Sequence, residues 1–172
     1  MQKLVLTEEE QMVRESATDF LAQKAGPDAL RKIRDTANPQ GFSSEVWREM
    51  GELGWPSILI EEEHGGLGFS HVAMGQIMEL FGSTLACSPL FATAVVGASA
   101  LSLGGDRLAL LPKVASGSLT LALAIDEASR HNPAEIATSA IKRGEGHSLN
   151  GEKTFVVDGN VADILEKRLT KN

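Results

Sequence analysis

The segment that most constrains the fold of this chain is a long apolar run that follows Pro89. The run is LFATAVVGASALSLGG, residues 90–105. Pro89 suits the first turn of a helix, and the residues after it are apolar on nearly every face of that helix. A helix without a polar face must be buried in a core or must line an apolar cavity. The chain is therefore predicted to build a helical core around this segment.

Two N-terminal caps predict helices in the first fifty residues. Thr7 followed by Glu10 is a capping box, and Ser43 is a second cap with Phe42 and Trp47 in place for a hydrophobic staple. A shorter helix is predicted between them. The apolar residues predicted to mark the inner faces of these helices are Met12, Val13, Ala17, Phe20, Leu21, Ala29, Leu30, Ile33, Trp47, Met50 and Leu53.

The glycine-rich stretch EEEHGGLGFS, residues 61–70, admits three interpretations. Its acids and His64 could bind a cation, and its glycines could let the backbone approach a phosphate. A dinucleotide fingerprint needs G-x-G-x-x-G directly after a strand, whereas the spacing here is G-G-x-G behind acids that would repel phosphate. Consecutive ligands cannot all point at one ion unless the loop folds back. The favoured interpretation is a structural turn, without a metal, that joins an extended WPSILI segment to a helix capped by Ser70.

Beyond Gly117 the pattern changes from helices to strands. A short final helix is predicted to start at Asp106. Short runs with β-branched residues follow it, namely LTLALAI, IATSAIKR, HSL and EKTFVVDG. The Asn150-Gly151 pair is a strong hairpin signal. Three or four short strands cannot close into a barrel or sandwich, so a sheet edge is expected to stay open to pairing.

Helices followed by strands predict a mainly α protein with a partial β region, an α+β arrangement, rather than an alternating βαβ sheet. The predicted divisions are a helical domain over residues 1–117, a truncated β-domain over 118–164 and a charged tail over 165–172.

The composition excludes several classes of function. The net charge of −7 gives no electrostatic footprint for nucleic acid. No apolar run is long enough to span a membrane, and the acidic N-terminus does not suit a signal peptide. The single cysteine, Cys87, is predicted to be a buried, inert thiol and suits a reducing cytoplasm.

Four motifs in order resemble the flavin-dependent acyl-CoA dehydrogenase family. They are LTEEEQMVRESATDFLAQ, ELGWPSILIEEEHGGLGFSHV, LPKVASGSLTLALAIDE and LNGEKTFVVDG, and the match runs from about Leu6 to Ile164. The resemblance implies an N-terminal orthogonal helical bundle followed by an incomplete β-barrel domain. It also implies that the glycine stretch is a structural turn of the helical domain.

What the resemblance implies chemically is FAD-dependent α,β-desaturation of an acyl-CoA thioester. By position, flavin contacts would fall on Ile125 and Asp126 in AIDEASR, and on Phe155 and Val157. Ile125 and Val157 replace hydroxyl side chains of the family pattern, so two side-chain hydrogen bonds to the flavin would be missing. The acyl-chain wall would come from the apolar helix at Phe91, Ala92 and Val95.

No catalytic residue is predicted within this sequence. The resemblance implies that a C-terminal helical bundle supplies the catalytic glutamate, and the charged tail LEKRLTKN replaces the apolar strand of the family. The chain is therefore expected to be an N-terminal fragment that is inactive alone. The alternative is a flavin-free pseudo-subunit or interaction module that completes its open sheet with another chain. Either way, self-association through the β-edge is expected.

Overall fold

The computed structural model describes residues 5–106, 109–167 and 170–171, and the first part of this chain is helical. The α-helices are α1 (Glu8–Lys24), α2 (Pro27–Asp35), α3 (Ser44–Glu52), α4 (His71–Thr84), α5 (Ala98–Gly104) and α6 (Leu111–Ala115). Short 3₁₀ turns cover Trp55–Ser57 and Glu62–His64, and a π-helical segment, Phe91–Gly97, runs directly into α5. None of the helices described is long and apolar enough to cross a membrane.

The predicted helix caps are confirmed. Thr7 Oγ1 accepts from the Glu10 backbone amide at 3.2 Å, and Glu10 accepts from the Thr7 amide at 3.0 Å. Ser43 caps α3 through the Val46 amide, and Ser70 caps α4. Ser70 also donates to the free oxygen of the Glu10 carboxylate at 2.7 Å. The starts of α1 and α4 are therefore fixed together as well as capped individually.

Helices α1, α3 and α4 surround the main core. Trp55 lies at its centre, with its ring centroid 5.2 Å from that of Phe20 in an edge-to-face contact. The fully buried residues of this core include Ala17, Leu21, Met50, Ile58, Ala73, Ile77, Leu90 and Ala94. Met12 and Leu53 were predicted on inner faces, and this is wrong, because 68% and 43% of their surfaces are exposed.

The apolar run after Pro89 is predicted to be buried on nearly every face, and the structure buries it along one side. Ala92, Thr93, Ala94 and Gly97 are buried, and Ala98 continues this side into α5. The two ends of the run depart from the prediction, because Phe91 is 48% exposed and Leu103 is 92% exposed. The wider π-helical turn was not predicted from the sequence.

Strands begin after α6 and form two small sheets. The strands are β1 (Leu121–Ala124), β2 (Ser139–Arg143), β3 (Gly146–Asn150), β4 (Ile164–Lys167) and β5 (Thr170–Lys171). β1 pairs in parallel with β4, whereas the second sheet has the order β3-β2-β5. Neither sheet is closed among the residues described, which confirms a mainly α fold with a partial β region. The predicted division between residues 164 and 165 falls inside β4.

Two predicted β features are wrong. WPSILI is not extended, because Pro56 opens a 3₁₀ turn in which the Ser57 hydroxyl and amide both bond to the Gly54 carbonyl. The β2–β3 hairpin turns at residues 144–145 rather than at Asn150-Gly151. Gly151 instead lies so close to Thr138 that a Cβ there would come within 2.5 Å of the threonine hydroxyl.

The segment after Gly151 also differs from prediction. Residues 151–156 carry no regular structure, and the chain then turns through residues 157–161. Asp106 does not start a helix of its own. Its carboxylate accepts from the Leu110 and Leu111 amides at 2.8 and 2.9 Å, so it caps the start of α6 from a distance.

The helical and β parts of the chain meet where the π-helical segment packs on β1. Thr93 is fully buried, and its hydroxyl accepts from the Leu121 amide at 3.1 Å and donates to the Leu121 carbonyl at 3.4 Å. One turn further on, a Cβ on Gly97 would lie 2.6 Å from the Leu121 Cβ. A hydroxyl and a missing side chain therefore allow this helix to pack directly on a strand.

We predict that Thr93→Val lowers the free energy of unfolding by about 1–3 kcal/mol, because it leaves a buried amide and carbonyl of Leu121 without partners. The measurement is urea denaturation followed by circular dichroism. Thr18→Val is the matched control, since the Thr18 hydroxyl bonds to the Arg14 carbonyl on an exposed helix face. It should change the stability by less than about 0.5 kcal/mol. Equal effects of the two variants would contradict this role of Thr93.

A second prediction concerns Gly97→Ala, which should destabilise the chain by about 1–3 kcal/mol because the added methyl group meets Leu121. The same substitution at Gly75 in α4 meets nothing within 4 Å. Gly75→Ala should stabilise the chain by about 0.5–1 kcal/mol through helix propensity. Opposite signs of the two shifts in melting temperature are expected, and a stabilising Gly97→Ala would show that β1 does not pack this closely.

Candidate functional site

The two stretches predicted to contact a flavin lie side by side. The Thr154 amide donates to the Asp126 carbonyl at 2.8 Å, and the Thr154 hydroxyl donates to the Ala128 carbonyl at 3.1 Å. Lys153 reaches the Ile125 carbonyl with its Nζ at 3.0 Å. The loop that follows β1 and the irregular segment before the turn at residues 157–161 therefore form one surface, although 26 or more residues separate them in the chain.

Asp126 is held by its own loop. Both of its carboxylate oxygens lie near His131 Nδ1, at 3.0 and 3.1 Å, and one of them accepts from the Asn132 amide. The histidine contact is the main cause that lowers the pKa of Asp126. His131 is largely exposed whereas Asp126 is mostly covered. Because its pKa is lowered and its oxygens are occupied by His131 and the Asn132 amide, Asp126 is a weak base in this arrangement.

Glu127 and Lys153 form the ion pair that joins the two stretches. Lys153 Nζ lies 2.6 Å from Glu127 Oε1, and both side chains are nearly covered. Glu127 also accepts from the amides of Ala137 and Thr138. These donors, led by Lys153, lower the pKa of Glu127 to about 2. The carboxylate therefore fastens three separate segments of backbone.

Sequence reasoning did not single out this ion pair. Neither Glu127 nor Lys153 is among the residues predicted to contact a ligand. The sole signal in the sequence is that the two stretches predicted to contact the flavin carry opposite charges, Glu127 in one and Lys153 in the other. A pair separated by 26 residues leaves no local pattern of the kind that marks a helix or a turn.

The remaining predicted flavin residues differ in exposure. Phe155 is 74% exposed and has a left-handed backbone with φ of 52°, and Val157 is 56% exposed. Ile125 is partly covered. A neighbouring open cavity of about 430 Å³ is lined by residues including Ala124, Lys153, Val156 and Leu165. An apolar aromatic surface thus lies open next to the paired stretches.

The three predicted acyl-wall residues lie on the π-helical segment. Ala92 is buried, Val95 packs against the main core and Phe91 is half exposed. This segment packs on β1, and Ile125 follows the last residue of β1 directly. The structure therefore joins the predicted acyl wall to the predicted flavin loop through one strand.

The glycine stretch is a tight turn. Gly66 has no room for a side chain, since a Cβ there would lie 1.9 Å from the Ile60 carbonyl oxygen. The 3₁₀ turn folds the chain back, so that ligand atoms of Glu61, Glu63 and His64 lie within 4.8 Å of one another. The loop thus folds back, which is the condition under which consecutive residues here were expected to converge. Their side chains are exposed or half-buried, and exposed groups commonly lie this close without an ion.

The helical part of the chain is thus pinned to the first strand of a partial β region, and two loops pair beside that strand. The sequence model of the N-terminal domain of acyl-CoA dehydrogenases matches residues 7–118. The chain belongs to the acyl-CoA dehydrogenase family.

Individual relatives agree with this membership. A probable acyl-CoA dehydrogenase of Bacillus subtilis is 31% identical over 163 residues, which cover 91% of this chain and 42% of that protein. The structure of an acyl-CoA dehydrogenase from Geobacillus kaustophilus superposes with a TM-score of 0.78 at 26% identity, over 98% of this chain and 44% of that one. The chain thus spans less than half the length of these relatives.

A further solved structure shares the fold. The acyl-CoA dehydrogenase of Bacillus anthracis, solved in complex with FAD, superposes with a TM-score of 0.80 at 24% identity. The match covers 96% of this chain and 30% of that one.

We predict that Lys153→Met raises the pKa of Glu127 from about 2 toward the ordinary glutamate range, because the methionine removes its strongest donor. Carboxyl ¹³C NMR titration measures the change. In the unmodified protein, the contribution of Glu127 to stability is present above its unfolded pKa and is lost as the pH falls from there towards 2. In Lys153→Met, this loss of stability at acid pH should be smaller.

Lys142→Met is the matched control, because Lys142 lies on the exposed β2 strand. It should leave the Glu127 titration unchanged. A Glu127 midpoint that stays near 2 in Lys153→Met would show that the Thr138 side chain and the backbone amides of Ala137 and Thr138 suffice to set its pKa.

Proposed function

We propose that this chain forms the N-terminal part of an FAD-dependent acyl-CoA dehydrogenase, in which it contributes one side of the flavin site and one wall of the acyl-chain site. The observation that carries the proposal is the pairing of residues 125–128 with residues 153–154. Residues 125–128 directly follow β1, the strand on which the apolar helix packs. The two stretches predicted to contact the flavin meet there, although they are far apart in the sequence. The lone cysteine supports a reducing, cytoplasmic setting.

The exposed side chains at this site suit apolar contact with an aromatic ligand better than they suit hydrogen bonding to it. FAD would supply the hydride acceptor for α,β-desaturation of an acyl thioester. The Phe155 ring and the Val157 side chain are open to solvent and can cover an apolar ring face. Ile125 and Val157 have no hydroxyl to donate, so polar contacts from these positions must come from the backbone.

On the substrate side, the residues proposed for the alkyl chain are small or branched. Ala92 and Val95 lie on the packed π-helical segment, and Phe91 is the half-exposed first residue of that segment. Replacing such residues changes the volume of an apolar slot, and this volume sets the accepted chain length. These residues would orient the substrate and exclude water, and they would not move a proton.

No general base is assigned to this site. Asp126 and Glu127, the acids of the loop after β1, are engaged with His131 and Lys153 respectively. The proposal therefore places proton abstraction on a carboxylate supplied by a part of the whole protein outside this site. The 42–44% coverage of the relatives supports this division of roles. By this proposal, the 172 residues alone have no desaturase activity.

FAD titration of the purified chain tests the cofactor role. We expect saturable quenching of flavin fluorescence, or a bound yellow chromophore released on denaturation. Phe155→Ala should weaken the affinity by about tenfold, equivalent to about 1.4 kcal/mol, through loss of the ring contact. Leu103→Ala, a change at a largely exposed position of α5, should leave the affinity unchanged. Failure of the chain to bind FAD at any concentration tested would defeat this role for the isolated chain.

The exposed sheet supports a second candidate, a flavin-free interaction module that pairs with another chain. The apolar residues left exposed in the β region are Ile141, Leu149, Phe155, Val157 and Leu165. Two short open sheets with this surface are suited to strand pairing. Light scattering after size exclusion should then show a dimer or larger species without flavin. A monomer at high concentration would contradict this candidate, and stoichiometric flavin would favour the first.

A further inference from the structure

One buried acid is left without a partner where β4 packs on the helical part of the chain. Both carboxylate oxygens of Glu166 are shielded from solvent, and neither has a hydrogen-bond partner among the residues described. Ionised carboxylates are rarely buried without a compensating donor, because loss of hydration is costly. The position of Glu166 therefore restricts the protonation state in which β4 can stay docked.

Strand geometry places Glu166 on the inner face of β4. Successive side chains of a strand point to opposite faces, and Leu165 and Lys167 are exposed whereas Ile164 and Glu166 are partly buried. Ile164 packs against the second core cluster, which includes Ala98 of α5, Leu111 of α6 and Leu121 of β1. Glu166 lies opposite Leu123 in the parallel register. An ionisable group is thus set into an apolar seam.

The charged surroundings of Glu166 favour its neutral form. β1, α5 and the π-helical segment contain no titratable side chain, and Lys113 of α6 is exposed. The acid that faces Glu166 is Asp106, whose carboxylate is fixed by the amides of Leu110 and Leu111. Burial, with a smaller contribution from Asp106, raises the pKa of Glu166 to about 7.

The start of β4 is held independently of Glu166. The Asp163 carboxylate accepts from the Thr120 amide at 2.8 Å and from the Thr120 hydroxyl at 2.9 Å. The amides of Asp163 and Ile164 donate to the Thr120 carbonyl. This clasp fixes the entry to the strand, so any response to Glu166 is confined to the part of β4 that follows.

We propose that β4 is a pH-sensitive strap, which packs on β1 and the helices while Glu166 is protonated and loosens from them when Glu166 ionises. The group contributes its full stabilisation below its unfolded pKa, and this contribution is lost as the pH rises through its folded value. Loosening would expose the edge of β1 and open the cavity that Leu165 and Lys167 line beside Lys153. The strap would therefore regulate access to the candidate site from its β side.

Hydrogen exchange of the full chain tests the strap. We expect protection of the amides in β1 and β4, corrected for intrinsic exchange rates, to fall by more than about tenfold between pH 5 and pH 8.5. Glu166→Gln should remove most of that fall, and Glu145→Gln, an acid on the exposed hairpin turn, should not. Amides of α1 and α4 serve as internal references. Protection that is independent of pH, or an equal fall in Glu166→Gln, would overturn the proposal.

Carboxyl ¹³C titration of the unmodified chain gives a second measurement that does not depend on how the variants fold. A Glu166 midpoint near neutrality supports the strap. A midpoint near the ordinary value of about 4.3 overturns it, because the carboxylate would then be hydrated or paired in the docked strand.

Discussion

The arrangement of this chain depends on the close packing of an apolar helix against the edge of a strand. A strand normally satisfies its backbone groups with another strand, but Leu121 satisfies its amide and its carbonyl with the Thr93 hydroxyl. This contact needs a residue with a short side chain, Thr93, and a residue without one, Gly97, because Leu121 occupies the space beside Gly97. The flavin side of the candidate site follows from this contact, since Ile125 and Asp126 come directly after the same strand.

Local chemistry predicted the helical part of the fold well. Thr7, Ser43 and Ser70 cap the helices that the sequence assigned to them, because a cap is a contact between neighbours in the chain. The failures have a different origin. Met12 and Leu53 have the periodicity of inner residues but are exposed, and the sequence does not show which partner helix stands opposite. The extended form of WPSILI failed because apolar character alone does not separate a buried turn from a strand.

For the candidate site, resemblance located the two loops, while the contacts that join them came only from the structure. Ile125, Asp126, Phe155 and Val157 could be named because they occupy positions in recognisable motifs. Glu127 and Lys153, which fasten those motifs together, belong to no local pattern. Gly151 shows the same limit. Asn150-Gly151 is a good hairpin signal, but the glycine is required by the approach of Thr138 and the chain turns elsewhere.

Four acids of the β region show how environment, and not residue type, sets the role of a carboxylate. Glu127 and Asp163 are surrounded by donors and hold segments together when ionised. Asp126 orders its loop through His131 and Asn132. Both carboxylate oxygens of Glu166 are shielded from solvent and have no donor among the residues that the structure describes, so its ionisation is disfavoured. Raising the pH therefore weakens the docking of the inner face of β4 and strengthens none of the contacts of that strand. The loops at residues 125–128 and 153–154 keep their ion pair. The strand proposed to loosen near neutral pH is thus distinct from the two loops proposed to bind FAD.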